Sequence, residues 1–137
     1  MSTEDRERTR LKERHDAHVE AWNAFDLGAL GEIYDPDCMI FDTIPPPAFK
    51  NLNEFLEHLA PLLQSYTGFE LRTFDHLVRV DERRDDRIGW VTSRYEVMVR
   101  RGEAVHRRSG RWTEIYEKRD ADWKLVHLHS SDDPTET

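Results

Sequence analysis

Cysteine is almost missing from this sequence. Cys38 is the one thiol among 137 residues, which excludes an internal disulfide framework and any metal centre built from several cysteines. Long apolar runs are missing too: none approaches the roughly 20 residues that a membrane span needs. The opening stretch, MSTEDRERTRLKERHD, lacks the apolar segment of a secretory signal. Positive charge is in deficit, with 20 Lys and Arg against 28 Asp and Glu and a formal net charge of −8. A chain with that balance repels phosphate backbones, so neither nucleic acid nor a membrane is an expected partner. There is no internal repeat, and the triplet Pro45-Pro46-Pro47 is the one low-complexity segment.

What is present suits a single domain. Hydrophobic residues make up only 37%, but four Trp, four Tyr and six Phe supply bulky core atoms. The expectation is a soluble, reduced, cytoplasmic protein. Residues 1–14 read as a charged, partly frayed helical extension, 15–131 as the domain, and 132–137 as a loose tail.

Helical signals come first. Leu11, His15, His18, Val19, Trp22 and Phe25 recur at spacings of three and four between Glu4 and about Asn23. The charge of the first half leaves only the second half to bury a face. Asp26 caps a short second helix at Leu27 to Leu30, and Tyr34-Asp35-Pro36-Asp37 breaks it. Cys38 to Asp42 reads as a strand, after which the prolines force an extended connection. Asn51, with Glu54 three residues on, opens a third helix. Its stripe is Leu52, Phe55, Leu56, Leu59, Leu62 and Leu63, and Pro61 is expected to kink or end it. Four strands follow: Phe69–Val80, Ile88–Arg100, Gly110–Arg119 and Trp123–Ser130, joined by polar turns. This order predicts an α+β fold, three N-terminal helices packed in a strongly curved, mostly antiparallel sheet.

Alternate strand residues face opposite sides. The even set Trp90, Thr92, Arg94, Glu96, Met98 and the even set Trp112, Glu114, Tyr116 are expected to share a face toward a pocket. Both sheet faces carry apolar residues, so both should be covered. The helices cover one, and a second copy of the chain is expected on the other, as a homodimer.

The stretch Gly110-Arg111-Trp112-Thr113-Glu114-Ile115-Tyr116, followed by Arg119-Asp120, Trp123 and Val126-His127-Leu128-His129-Ser130, resembles the closing hairpin of the nuclear transport factor 2 superfamily. The likeness is to its SnoaL-like branch and to the association domain of calcium/calmodulin-dependent protein kinase II. Asn23-Ala24-Phe25-Asp26-Leu27 and Tyr34-Asp35-Pro36-Asp37, with Phe41-Asp42 after it, match the helical half, so the resemblance covers residues 15–134. It implies a cone-shaped fold with a pocket between helices and sheet. The superfamily holds ketosteroid isomerases, polyketide cyclases, dehydratases, epoxide hydrolases and non-catalytic assembly domains, so the fold does not choose a function. Asp42 falls where the isomerases place their catalytic carboxylate, and His18 where they carry an oxyanion-binding tyrosine. Arg94 matches a pocket arginine of the association domain, whose two other pocket arginines are replaced here by Glu114 and Ser130.

These residues frame the chemistry. A carboxylate in an apolar pocket becomes a stronger base, so Asp42 could remove a proton beside a carbonyl without metal or cofactor. The alternative is a strand-end Asp capping the turn before the prolines. His18 pairs with Asp42 as acid and base, or else is an exposed histidine on a charged helix. Arg94 either pairs with Glu114 in a buried salt bridge or presents a guanidinium fork to a substrate. His127 and His129 could share a metal, but no third ligand is evident near them, and if the even face lines the pocket they face away from it, toward a dimer contact. Trp22, Tyr34, Phe41, Trp90, Trp112 and Tyr116 form the expected apolar wall, with Glu114 and Ser130 in the same pocket. Arg100-Arg101 and Arg107-Arg108 read as solvated. The expected protein is a cofactor-independent isomerase, cyclase or lyase that acts on a small hydrophobic carbonyl compound. The alternative is a non-catalytic ligand-binding or homo-oligomerising module.

Overall fold

Ser2 starts the first helix by accepting a hydrogen bond from the Asp5 amide at 3.1 Å. The computed structural model describes residues 2–43, 46–81 and 87–134. Helix α1 (Thr3–Asn23) buries Glu7, Leu11, His15, His18, Ala21 and Trp22 on one stripe. Burial reaches further toward its N-terminus than the charge pattern predicts. Glu7 is covered because Lys118 Nζ and Trp123 Nε1 bond its two oxygens at 2.9 and 3.0 Å. Helix α2 (Leu27–Ile33) begins at Asp26, whose Oδ1 accepts from the Ala29 amide. Helix α3 (Leu52–Gln64) begins with a reciprocal cap. Asn51 Oδ1 accepts from the Glu54 amide at 2.9 Å, and Glu54 Oε2 accepts from the Lys50 amide at 3.0 Å. Pro61 lies inside α3, which ends three residues beyond it. It stands in the last turn, where its missing N–H removes a single bond.

The strands are β1 (Tyr34–Phe41), β2 (Ala48–Phe49), β3 (Gly68–Val80), β4 (Ile88–Arg101), β5 (Ala104–Arg119) and β6 (Asp122–Asp132). They form one mixed sheet in the order β2-β1-β6-β5-β4-β3, parallel between β1 and β6 and antiparallel elsewhere. The sheet curls around the helices without closing. Bulges between Phe74 and Leu77 in β3, and at Val126 in β6, increase the local twist. The fold is the expected α+β cone. Three details differ: β1 starts at Tyr34, β2 follows the prolines, and β5 starts at Ala104 rather than Gly110. Most of the predicted turn at 81–87, together with Ile44 and Pro45, lies outside the described residues. Asp132 and Asp133 belong to the sheet end rather than to a loose tail. Asp132 pairs with Gly110, and the Asp133 amide donates to Ser109 O at 2.9 Å.

Register overturns the expected faces. A two-residue turn at Gly102 and Glu103 pairs Arg101 with Ala104. Paired residue numbers therefore sum to an odd value, and odd residues of β4 share a face with even residues of β5. The inner face carries Val91, Ser93 and Tyr95 beside Glu114, Trp112 and Gly110. Trp90 and Arg94 stand on the outer face, Arg94 opposite Arg111. In β6 the bulge at Val126 shifts the alternation, so that Trp123 and Leu125 and then Leu128 and Ser130 all meet inner-face partners.

Toward the narrow end of the cone Leu11, Val80, Val91, Trp123 and Leu125 are buried. Cys38 is buried there too, and burial together with the Asp35 charge pushes its thiol up to about 12. Toward the wide end, Tyr95 lies flat over Gly110. A Cβ at Gly110 would stand 2.1 Å from Ser131 O and 2.6 Å from the Tyr95 hydroxyl. Neither neighbour yields cheaply, because one is sheet backbone and the other is tied to Asp132 at 2.7 Å. Gly110→Ala should lower the unfolding free energy by about 1–3 kcal/mol, the usual range for overpacking. Urea denaturation checks this, and an unchanged midpoint would contradict the close approach.

Candidate functional site

The polar centre of the cone is Glu114, fully buried on β5. His15 and His18, three residues apart on α1, face it together because that spacing puts both on one side of a helix. His15 Nδ1 bonds Oε1, His18 Nδ1 bonds Oε2 at 2.7 Å, and the Tyr116 hydroxyl donates to Oε2 at 2.5 Å. Burial pushes the Glu114 carboxyl up, but the hydrogen bonds from the two histidines outweigh it and hold the group down at about 2. On its far side, His18 Nε2 meets the Tyr34 hydroxyl at 2.6 Å and accepts from Trp22 Nε1 at 3.1 Å. An indole nitrogen only donates, so Nε2 must keep its lone pair and Nδ1 carries the proton given to Glu114. His15 Nε2 continues outward to Thr73 Oγ1, which also meets the exposed His76, both at 2.9 Å. Tyr34 and Tyr116 are pushed well up by burial and by the Glu114 charge, so both stay as hydroxyls.

Beside this network, toward the wide end, lies a cavity of about 110 Å³. Trp22, Trp112, Phe69, Leu71, Val97 and Leu128 make its apolar wall, together with Tyr66 and Val99. Its polar lining is Asp42, Thr43, Tyr95, Arg108 and Ser130. Asp42 directly follows β1 and is half-buried. Burial pushes its carboxyl up, against opposing pulls from the Thr43 amide and hydroxyl and from the charges of Arg108 and His58. Its Oδ1 accepts from the Thr43 amide at 2.6 Å. Arg108 is held by Asp132 Oδ2 through Nη2 at 2.6 Å and Nε at 3.1 Å, and its Nη2 reaches Thr43 O at 3.4 Å. Among the described residues, no group of three His, Cys, Asp or Glu side chains is arranged to hold a metal ion.

The structure brings Asp42, Trp22, Trp112 and Ser130 to one cavity. It does not bring Arg94 there. Arg94 is half-exposed on the outer face, 3.5 Å from Asp133 and 4.0 Å from Asp75, with its guanidinium over Phe74, so the expected Arg94–Glu114 pair does not exist. Trp90 stands on that same outer face, and Phe41 is exposed between His127 and His129. Tyr34, Tyr116 and Glu114 sit in the buried network rather than on the cavity lining. His18 is neither exposed nor paired with Asp42, since Glu114, Tyr34 and Trp22 take both its nitrogens. Sequence reasoning missed Arg108, Tyr95 and Thr43. The turn at Gly102 carried the signal for the first two, because its length sets which residues of β4 and β5 face inward.

The SnoaL-like domain family matches residues 11–135. The chain belongs to that family. Solved structures with the same fold as this SnoaL-like domain are distant in sequence. One is a proposed dehydratase of the NTF2-like family from Streptomyces avermitilis, 14% identical, with a TM-score of 0.84, covering 96% of this chain and 99% of that one. Another is a nuclear transport factor 2 (NTF2-like) superfamily protein from Salmonella enterica, 13% identical, with a TM-score of 0.83, covering 97% and 94%. A third, from Xanthomonas campestris, is a proposed calcium/calmodulin-dependent protein kinase II association domain, 20% identical, with a TM-score of 0.74, covering 88% and 83%. No curated protein matches the sequence. Among the described residues, no helix of the SnoaL-like domain is long and apolar enough to cross a membrane.

Glu114 also makes a pH prediction. Its carboxyl drops from an ordinary 4.5 to about 2 on folding. The unfolded chain therefore binds more protons between those values, and stability contributed by the group is complete above 4.5 and lost as pH falls toward 2. The contribution is about 3 kcal/mol. Glu114→Gln should destabilise the SnoaL-like domain at neutral pH and flatten the acid limb of its stability profile. Thermal melts from pH 6 to pH 2 check it, and a variant with an unchanged acid limb would remove Glu114 from that role.

Proposed function

We propose that this SnoaL-like domain is a cofactor-independent acid–base enzyme of the isomerase, cyclase or lyase type. Its substrate is a small, mainly hydrophobic carbonyl compound. The observation that carries the reading is Asp42, a carboxylate with a raised pKa that opens onto an otherwise largely aromatic and aliphatic cavity. A neighbour of the same fold described as a proposed dehydratase supports it. Asp42 takes a proton from the carbon beside the carbonyl. The C–H electron pair becomes a C=C bond, and the carbonyl π pair moves onto oxygen. The enolate collapses by taking the proton back at another carbon, by attacking a second carbonyl, or by expelling a leaving group. Arg94 has no part in this, being on the other face of the sheet. Arg108, fixed by Asp132, supplies the positive charge at the mouth.

Asp42→Asn should slow the exchange of α-protons for deuterium by about 10²-fold or more across a panel of small cyclic ketones, followed by NMR in D₂O. The wild-type rate should rise with pH through a midpoint above the ordinary 3.8 of an aspartate. Exchange by Asp42→Asn at the wild-type rate would sink the assignment. The second reading is a non-catalytic ligand-binding module. It is favoured by the hydrogen bond that turns Asp42 Oδ1 to the Thr43 amide, and it gains if the wild type accelerates no exchange.

A homodimer through the outer sheet face belongs to the same proposal. Register aligns two rows across that face: Leu77, Thr92, Thr113, His129 and Phe41, and beside them Trp90, Ile115, His127 and Met39. Met39, Phe41 and Leu77 are exposed apolar side chains at the ends of those rows. Ile115→Glu at the centre should shift sedimentation equilibrium from dimer to monomer. A wild type that sediments as a monomer contradicts the pairing.

A further inference from the structure

Two charged side chains line the cavity, and each keeps one accessible atom unbonded. Arg108 is held along one side of its guanidinium. Nε and Nη2 both donate to Asp132 Oδ2, at 3.1 and 2.6 Å, and Nη2 also reaches Thr43 O at 3.4 Å. Nη1 finds no acceptor among the described residues, and the side chain keeps 38% of its surface exposed. Asp42 Oδ1 accepts from the Thr43 amide at 2.6 Å and from the Thr43 hydroxyl at 3.4 Å, whereas Oδ2 meets no donor among the described residues. Neither Nη1 nor Oδ2 belongs to the shielded, unpartnered atoms of the interior, and both residues face the cavity.

One residue gauges the gap between the two groups. Thr43 gives its amide to Asp42 and its carbonyl oxygen to Arg108, so carboxylate and guanidinium flank the same residue. The guanidinium is also supported from behind. The Tyr95 hydroxyl donates to Asp132 Oδ1 at 2.7 Å, which leaves Oδ2 for Arg108. A planar fork anchored along one side has its remaining N–H groups fixed in direction. Charge decides what they receive. Asp42 and Arg108 are the charged residues of the lining, and Asp132 already answers Arg108, so the three sum to one negative charge. A ligand carboxylate would add another beside an apolar wall, where like charges repel strongly. A neutral carbonyl oxygen adds none. When Asp42 takes a proton its own charge disappears as the enolate oxygen gains one, so the sum is unchanged and the new charge lies beside Arg108.

We infer that the substrate is an uncharged ketone or aldehyde bound with its carbonyl oxygen at the mouth, accepting from Arg108 Nη1, its α-carbon at Asp42 Oδ2, and its hydrophobic body against Trp22, Phe69 and Trp112. This rests on the acid–base reading of the cavity and adds the binding atom, the orientation and the exclusion of carboxylate-bearing compounds. In the step itself the α-C–H bond breaks and the proton goes to Asp42 Oδ2. The C–H pair forms the C=C bond, and the carbonyl π pair moves onto the oxygen that Arg108 holds. Arg108 touches the reacting oxygen and is a catalytic residue. Asp132 acts through Arg108 and is a positioning residue.

The test uses cyclohexanone and cyclohexanecarboxylate on the full chain. Arg108→Gln should lower kcat for α-deuterium exchange of cyclohexanone about 10²-fold, the cost of one lost oxyanion donor, and leave KM nearly unchanged. Arg108→Lys should recover part of the loss, because it restores the charge without the fork. Asp132→Asn should lower kcat about tenfold, again with little change in KM, because the guanidinium loses its fixed direction. In tryptophan-fluorescence titrations the wild type should bind the ketone about tenfold more tightly than the carboxylate. Equal or tighter binding of the carboxylate overturns the inference, and so does exchange by Arg108→Gln at the wild-type rate. A wild-type kcat in Asp132→Asn removes Asp132 from its role. Exchange that needs Asp42 but not Arg108 would sink this assignment while the acid–base reading stands. Exchange that ignores Asp42, or none by the wild type, would sink the acid–base reading and this inference with it.

Discussion

The fold turns on one buried carboxylate. Glu114 sits where helix α1 meets the middle of the sheet, and three donors from two elements converge on its two oxygens. A buried charge with those partners removed would cost several kcal/mol, so the contact dictates how α1 docks rather than merely accompanying it. His15 and His18 set the rotation of the helix about its own axis. Tyr34 and Trp22, gathered on the far nitrogen of His18, then tie the start of β1 and the last turn of α1 to the same centre.

That polar centre divides the cone. Below it, Leu11, Trp123 and Leu125 are buried at the narrow end, and Gly89 lets Leu11 approach: a Cβ there would stand 2.5 Å from Leu11 Cδ2. Above it, rings line the wall rather than fill the space. Trp22 stacks on Phe69 at 6.2 Å, and Phe69 meets Tyr66 and Phe25. Large flat side chains buttressed by one another leave a hollow that aliphatic side chains would close. The mouth is held open differently, by the charged tie of Arg108 to Asp132 and by Tyr95 lying on Gly110.

Local features were legible in the sequence because their causes span few residues. The Asp26 and Asn51 caps, the α1 stripe, the sequence of helices then strands, and the closing hairpin are all written within a few positions of one another. Trp22, Trp112, Asp42 and Ser130 reach the cavity, but Arg94, Trp90 and Phe41 do not. Arg94 and Trp90 were misplaced for one physical reason. Side-chain alternation tells which residues of a strand share a face, but not which face of the next strand they join. That is decided by the parity of the connecting turn, here two residues at Gly102, and by bulges such as the one at Val126.

By itself, then, the sequence determined the order of the three helices and the four long strands after them, the fold class and the family. Periodicity, caps and turn residues act between near neighbours and need no partner from afar. The tertiary structure alone decided that Glu114 is a shared acceptor for two histidines, that Arg108 rather than Arg94 stands at the cavity, and that the Trp112 indole finds no acceptor among the described residues. Each of these depends on registers and bulges summed over several strands, and a shift of one residue in any of them turns the side chain to the opposite face.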